Sequence, residues 1–349
     1  MRGNLTKSLM RLKNLKEARV AGKRVLVRVD FNVLPLKPKE PRILKTLPTI
    51  KYLLRKGAKV ILATHLETND GKIPSARVLL SYLKKYLPGV KFEEPARVSL
   101  LENLRKNPGE KKNSLNFAKK LAASADIYVN EAFSVSHRPH ASIVLLPKLL
   151  PSFAGFLFKE ELKNLSKVFS PPHPFTLIVG GEKAETKLPL IKELLSKADA
   201  VFLGGIPAVV FLKKPLIKSR KIILPEKVIR KNGKILDIAP GAVAKWEKII
   251  AKSRLVVWNG PFGYVERGYT DGTQKLISVL RKAPGKIIIG GGDTLDCLPR
   301  GFAEKPPKNV FISTGGGAML EYLAERTLPG IAALEKGRAS PKRREALKN

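Results

Sequence analysis

Cysteine is almost missing from this sequence: Cys297 is the single one in 349 residues. No intrachain disulfide can form, and four scattered histidines cannot assemble a zinc-ligand spacing. No run of about 20 apolar residues occurs, and the opening two dozen residues carry nothing like the apolar stretch of a secretory signal. The expectation is a soluble cytoplasmic protein with no membrane partner. The common nucleotide fingerprints are also missing. There is no GxxxxGK[ST], no strand followed by GxGxxG with an acidic residue downstream, and neither HRDxxxxN nor DFG.

Acidic residues are scarce, with 29 Asp and Glu against 66 Lys and Arg, a formal charge of +37. Concentrated in one patch, that excess would indicate RNA or an acidic membrane surface. It is instead spread over nearly every helix-like segment, with one real cluster at Lys342, Arg343 and Arg344. Solvated cationic faces account for most of it, and a basic surface also gathers small anionic metabolites. A nucleic acid is therefore not the expected partner, although the charge leaves a non-catalytic polyanion- or RNA-binding protein as the alternative reading. A monomer is expected.

What the chain does have is apolar residues, at 44%, and enough length for two cores. Short β-branched runs alternate with longer amphipathic stretches, the rhythm of βαβ units. In the first half the runs are 24–30, 59–64 and 126–129, with a helix-like segment at 47–56. In the second they are 175–179, 200–203, 221–224, 254–258, 286–289 and 310–313. The fold class expected is α/β, two doubly wound, Rossmann-like parallel-sheet lobes joined by a hinge helix. The boundaries are 1–150 for the first lobe, 151–170 for a linker helix within the apolar stretch 149–167, and 171–325 for the second lobe. Residues 326–349 are read as a segment returning to the first lobe with a basic tail.

Ligands of open α/β sheets bind beyond the carboxyl ends of strands, so the residues after each run carry the chemistry. In the first half these are polar or cationic: Asp30 and Asn32, His65, then Glu131 leading to His137 and Arg138, with Arg42 and Arg105 in neighbouring loops. In the second half they are glycines: Gly180 and Gly181 before Lys183, Gly204 and Gly205, Gly260 between Asn259 and Pro261, Gly290 to Gly292 before Asp293 and Thr294, and Gly315 to Gly317. Bare backbone at a strand-to-helix turn lets phosphate approach free N–H donors. One Gly-Gly is only a turn; five glycine-rich strand ends in one half read as a nucleotide site. Asp293 can reach a magnesium ion bridging phosphates, and Lys183 and Lys187, four apart, are expected on one helix face. Taken singly, Lys187, Arg42, Arg105, Arg138 and Glu266 default to solvated surface residues.

In order and wording these motifs resemble phosphoglycerate kinase from about Gly22 to Leu334. The segments are VRVDFNV at 27–33, ADIYVNEAFSVSHRPHAS at 125–142, 150–162, GGEKAETK at 180–187, VVWNGPFG at 256–263, GGGDT at 290–294 and ISTGGGA at 312–318. The resemblance implies reversible phosphoryl transfer between 1,3-bisphosphoglycerate and ADP, giving 3-phosphoglycerate and ATP, with Mg2+. It implies that Asp30, Asn32, Arg42, His65, Arg105 and Arg138 hold the glycerate substrate. Arg42 and Lys183 would flank the migrating phosphoryl group, with N–H groups of Gly315 and Gly316 near the transfer point. Lys187, Gly291, Gly292, Asp293 and Thr294 would serve nucleotide phosphates and metal, and Gly181, Gly204, Gly205, Asn259, Pro261 and Glu266 would surround adenosine. Hinge closure would then exclude water. Two departures stand out. After His65 the family continues Leu-Gly-Arg, where this chain has Leu66, Glu67 and Thr68; and Ile206 stands where a third glycine is expected after Gly205.

Overall fold

The structure, a computed structural model, describes residues 12–337; the basic cluster at 342–344 lies outside them. The described residues divide into two compact units, one made of 12–163 together with 327–337, the other of Asn164–Arg326. Each is built on its own parallel sheet.

In the first unit the strands are β1 (Arg24–Arg28), β2 (Lys59–Ala63), β3 (Lys91–Phe92), β4 (Val98–Leu100), β5 (Ile127–Asn130) and β6 (Ser152–Ala154), in the spatial order β3-β4-β2-β1-β5-β6. In the second they are β7 (Phe175–Val179), β8 (Ala200–Leu203), β9 (Ile222–Ile223), β12 (Leu255–Asn259), β13 (Lys286–Gly290) and β14 (Val310–Ile312), in the order β14-β13-β12-β7-β8-β9. Every pairing within these two sheets is parallel. Both sheets are thus doubly wound. Between β8 and β12 the chain inserts an antiparallel hairpin, β10 (Val228–Lys231) and β11 (Lys234–Ile238).

Strands covered on both faces read as near-continuous apolar runs, and β7 and β12, buried at every position, are apolar but for Thr176 and Asn259. Around them Trp258 is fully buried, and Phe202 stacks on Trp246 with ring centroids 4.3 Å apart. In the first unit Val25, Val27, Val60 and Leu62 are likewise fully buried, against Ile43 and Ile50 of the helix Pro41–Arg55. That helix begins at Pro41, nearly two turns before the 47–56 segment read from periodicity. Pro41 starts it, because its fixed φ suits the first helical position and its missing N–H costs nothing there.

The stretch 149–167 is not one helix. Ser152–Ala154 pairs with Tyr128–Asn130 as the edge strand β6, and the helix follows only at Phe156–Leu165. Pro151 lies ahead of both, after the short helix Leu146–Leu149, and Gly155 is the single residue between the strand and the helix. Glu131, just beyond β5, fixes where the helix starts. Its carboxylate accepts the N–H groups of Leu157 at 3.1 Å and Phe158 at 3.3 Å and the hydroxyl proton of Thr49. These are first-turn donors that the helix cannot satisfy itself. The carboxylate occupies the space a Cβ at Gly155 would need, and burial raises its pKa to about 8.

Candidate active site

A doubly wound sheet opens a crevice where its winding reverses, at the carboxyl ends of the two strands that flank the reversal. In the first unit these are β1 and β5. Asp30 follows β1 and is nearly buried; Arg42, in the first turn of helix Pro41–Arg55, donates to it at 3.4 Å and to the Asn32 carbonyl at 3.1 Å. Ser134 donates its hydroxyl to the same carboxylate, and the Asn32 N–H reaches it at 3.2 Å. Burial alone would raise the pKa of Asp30, but Arg42, His65 and Ser134 outweigh it and hold the carboxyl at about 2. His65, after β2, has Nδ1 3.3 Å from Nη2 of Arg28. A guanidinium only donates, so Nδ1 accepts and the ring proton sits on Nε2. Burial and Arg28 push the His65 pKa well below the ordinary value, so the ring is neutral at physiological pH.

Arg105 is 5% exposed and pairs through Nη1 with Glu67, whose N–H in turn donates to Asn32 Oδ1 at 2.8 Å. Burial, Arg138 and Arg28 bring the Arg105 pKa down to about 10. Arg138 itself is exposed, its Nε 3.4 Å from Nε2 of His137. Asp30, Asn32, Arg42, His65 and Arg105 therefore form one connected group, and Arg138 acts on it through its charge.

In the second unit the reversal lies between β7 and β12, and the backbones beyond these strands nearly touch. Gly181 N–H donates to the Pro261 carbonyl at 2.7 Å, Gly205 N–H to Phe262 at 3.1 Å and Ile206 N–H to Gly181 at 2.9 Å. At Gly260, with φ +94°, a Cβ would overlap the Gly180 carbonyl; at Gly205, with φ +54°, it would lie 2.6 Å from the Gly181 oxygen. Only glycine fits either place. Gly204 is pressed against the Phe262 ring in the same knot.

The two lysines of this segment differ. Lys183 is not on the helix: its backbone is extended (φ −109°, ψ 94°) and it caps the helix Ala184–Leu195. The expectation of two lysines on one helix face fails because the helix begins one residue later. Lys183 is exposed, whereas Lys187 is turned inward and donates to Asn259 Oδ1. Burial lowers the pKa of Lys187 to about 8 against the opposing pull of Asp293. Lys187 is thus far from a solvated helix residue. Asn259 is fully buried, and its Nδ2 has no hydrogen-bond partner among the described residues.

Asp293 is exposed in the first turn of the short helix Gly292–Asp296, which Gly291 caps, and Thr294 is fully buried with its Oγ1 accepting the Gly260 N–H at 2.7 Å. Gly315 and Gly316 stand beyond β14, two strands from the reversal; Gly315 N–H donates to Ser313 Oγ at 3.0 Å, and Gly316 caps the helix Gly317–Glu325. Glu266 is exposed in the turn Val265–Arg267.

A cavity of about 300 Å³ adjoins the glycine knot, lined by Gly181 and Gly205 and by Ile206, Leu212, Ile235 and Tyr264 among others. Its apolar walls suit a flat heteroaromatic base, with the bare backbone of Gly181 and Gly205 available to polar atoms. Ile206 contributes to this wall where a glycine would leave it open. The hairpin residues Val228, Ile235 and Leu236 also line it, and no strand-end motif points to them. Asn232-Gly233, both at positive φ between β10 and β11, is the turn signal that marks this hairpin. Among the described residues no group of three or more His, Cys, Asp or Glu side chains could hold a metal by itself. A single exposed carboxylate, Asp293, fits an ion carried in mainly by phosphate oxygens and water, the usual habit of Mg2+.

Comparison with known proteins bears directly on this arrangement. The family model described as phosphoglycerate kinase matches residues 15–226 and 214–326. The chain belongs to the phosphoglycerate kinase family. A relative from Orientia tsutsugamushi (strain Boryong), named phosphoglycerate kinase, is 36% identical, covering 93% of this chain and 98% of the relative. One of the same name from Thermomicrobium roseum is 35% identical, covering 93% and 99%. The solved phosphoglycerate kinase of Coxiella burnetii superposes with a TM-score of 0.78 at 30% identity, covering 94% of this chain and all of that one. That of Pyrococcus horikoshii does so with 0.80 at 27% identity, covering 93% and 98%. Phosphoglycerate kinases are ATP-dependent phosphotransferases, and the two parallel-sheet units follow the architecture of these neighbours. Nothing in these comparisons favours a non-catalytic polyanion-binding protein. Among the described residues no helix is long and apolar enough to cross a membrane.

Proposed function

We propose that this chain transfers a phosphoryl group reversibly between 1,3-bisphosphoglycerate and ADP, giving 3-phosphoglycerate and ATP. The observation that carries the reading is the division of labour between its two switch points: connected cations and polar groups at the first, bare glycine backbone beside an apolar cavity at the second.

The glycerate carboxylate and phosphate would be held by Arg42, Arg105 and Arg138, with Asp30 and Asn32 orienting Arg42 and receiving substrate hydroxyls. Neutral His65 would offer its Nε2–H as a donor. The acceptor carboxylate is already anionic, so no general base is needed, and the protein's task is positioning and charge stabilisation. Arg42 and Lys183 are assigned to the migrating phosphoryl group, with the Gly315 and Gly316 backbone. Lys183, exposed just ahead of the helix Ala184–Leu195, would place its ammonium on the moving charge. On the nucleotide side Gly181, Gly204, Gly205, Asn259, Pro261 and Glu266 are assigned to adenosine, and Lys187, Gly291, Gly292 and Thr294 to the phosphates. Asp293 would hold Mg2+, which when bound neutralises charge on the phosphate oxygens.

A coupled assay with purified protein, 3-phosphoglycerate and MgATP tests this. Turnover is expected, with kcat reduced about 100-fold or more in Lys183→Ala. Wild-type activity no higher than that of the variant would refute the reading.

A further inference from the structure

Beyond β2 the chain reads His65, Leu66, Glu67, Thr68, without the arginine its family places where Thr68 stands. Positions 67 and 68 thus offer an anion a carboxylate and no cation of their own. The structure supplies another cation from elsewhere. Lys111, at the end of the short helix Pro108–Lys111, donates Nζ to Glu67 Oε1 at 2.9 Å, while Glu67 Oε2 takes Nη1 of Arg105. One carboxylate thus draws two cations from separate elements to the same place. Its own backbone is tied to Asn32 within the group already described.

Two further observations concern what this cluster has left to bind. Arg105 is 95% removed from solvent, yet its Nε and Nη2 have no partner among the described residues. Those two atoms form one edge of the guanidinium, the edge that takes an oxyanion at two points. A purely structural Arg–Glu pair would leave no such donors buried and unsatisfied. Lys111 also stands in the same cationic field: burial, Arg105 and Arg138 all lower its pKa, although its side chain is half exposed. With one carboxylate between two cations, the cluster keeps a net positive charge toward an incoming anion.

We propose that Lys111, held beside Arg105 by Glu67, is a binding residue for the acidic substrate and supplies the cation missing at Thr68. Glu67 is then a positioning residue: it fixes Nη1 of Arg105 and leaves the Nε, Nη2 edge open. Lys111, a compact point charge on a flexible stem, serves the same phosphate from the side.

This inference rests on the kinase reading, and steady-state kinetics on the full chain separate the two. With 3-phosphoglycerate varied at saturating MgATP, Lys111→Met is expected to raise KM for 3-phosphoglycerate about tenfold, the loss of one charge-assisted contact, with KM for ATP within about twofold of wild type. Lys111→Arg should stay near wild type. Thr68→Arg added to Lys111→Met should recover most of the lost affinity, a rescue that a merely structural Lys111 would not show. An active wild type whose Lys111→Met variant keeps its KM for 3-phosphoglycerate overturns the inference and leaves the kinase reading standing. So does a variant in which both KM values rise alike. A wild type with no 3-phosphoglycerate-dependent turnover overturns both.

Discussion

Lys187 donates its ammonium to Oδ1 of Asn259, linking the helix that follows β7 to the end of β12 across the reversal in the second sheet. The bond brings a mostly buried cation to the glycine knot and leaves the other side of the Asn259 amide unpartnered among the described residues.

That burial sets a pH dependence. The Lys187 pKa is lowered to about 8, and a nucleotide phosphate binds the charged form. Affinity is therefore present below pH 8 and falls as the pH rises through it. KM for ATP should climb about tenfold between pH 7 and 9, whereas Lys187→Met should have a raised KM at pH 7 and a flat profile. Parallel profiles for the two proteins would show that Lys187 does not meet the phosphates.

Gly260→Ala should destabilise the second unit by about 3 kcal/mol, since the new Cβ meets backbone that cannot give way and φ is +94°. Both tryptophans, Trp246 and Trp258, are buried in that unit, so fluorescence excited selectively at tryptophan in a urea titration reports on it alone. Gly301→Ala, which meets open space, is the control and should leave the midpoint in place.

Asp30 gives the opposite titration in the first unit. Its pKa is depressed from 3.8 to about 2, so the ionised carboxylate contributes stability above pH 3.8 that disappears as the pH falls through 2. Asp30→Asn should cost about 2 kcal/mol at pH 6. The gap from wild type should shrink progressively at pH 3.5 and 2.5 in chemical denaturation followed by far-UV circular dichroism. A constant gap would place the stabilisation elsewhere.

Chelation with EDTA should abolish turnover. Asp293→Asn should raise the Mg2+ concentration for half-maximal rate about tenfold, with KM for 3-phosphoglycerate unchanged. An unchanged magnesium requirement would remove Asp293 as the metal-holding side chain.

What could be read from sequence depended on whether local pattern or distant pairing decides. Phe175–Val179 and Ala200–Leu203 are strands over the residues expected, because both are short β-branched or apolar runs ended by glycine. The three-residue β4 and β6 and the two-residue β3 are too short to show a period; each is held by its neighbour in the sheet. The candidate residues at the strand ends were legible because doubly wound topology names their positions in advance. The extended backbone of Lys183, the burial of Lys187 and the Glu67–Lys111 pair were not. Each depends on packing, or on residues far apart in the chain that only the fold brings together.

The carboxylate of Glu131 fills the volume that any side chain at position 155 would claim. Sites 131 and 155 are therefore bound to a shared fate under mutation. Enlarging the second evicts the acid from the donors of Leu157 and Phe158, and shortening the first leaves those donors bare. Drift at either site is open only to a lineage that changes both, so the start of the helix Phe156–Leu165 is guarded by a coupling that single substitutions cannot cross.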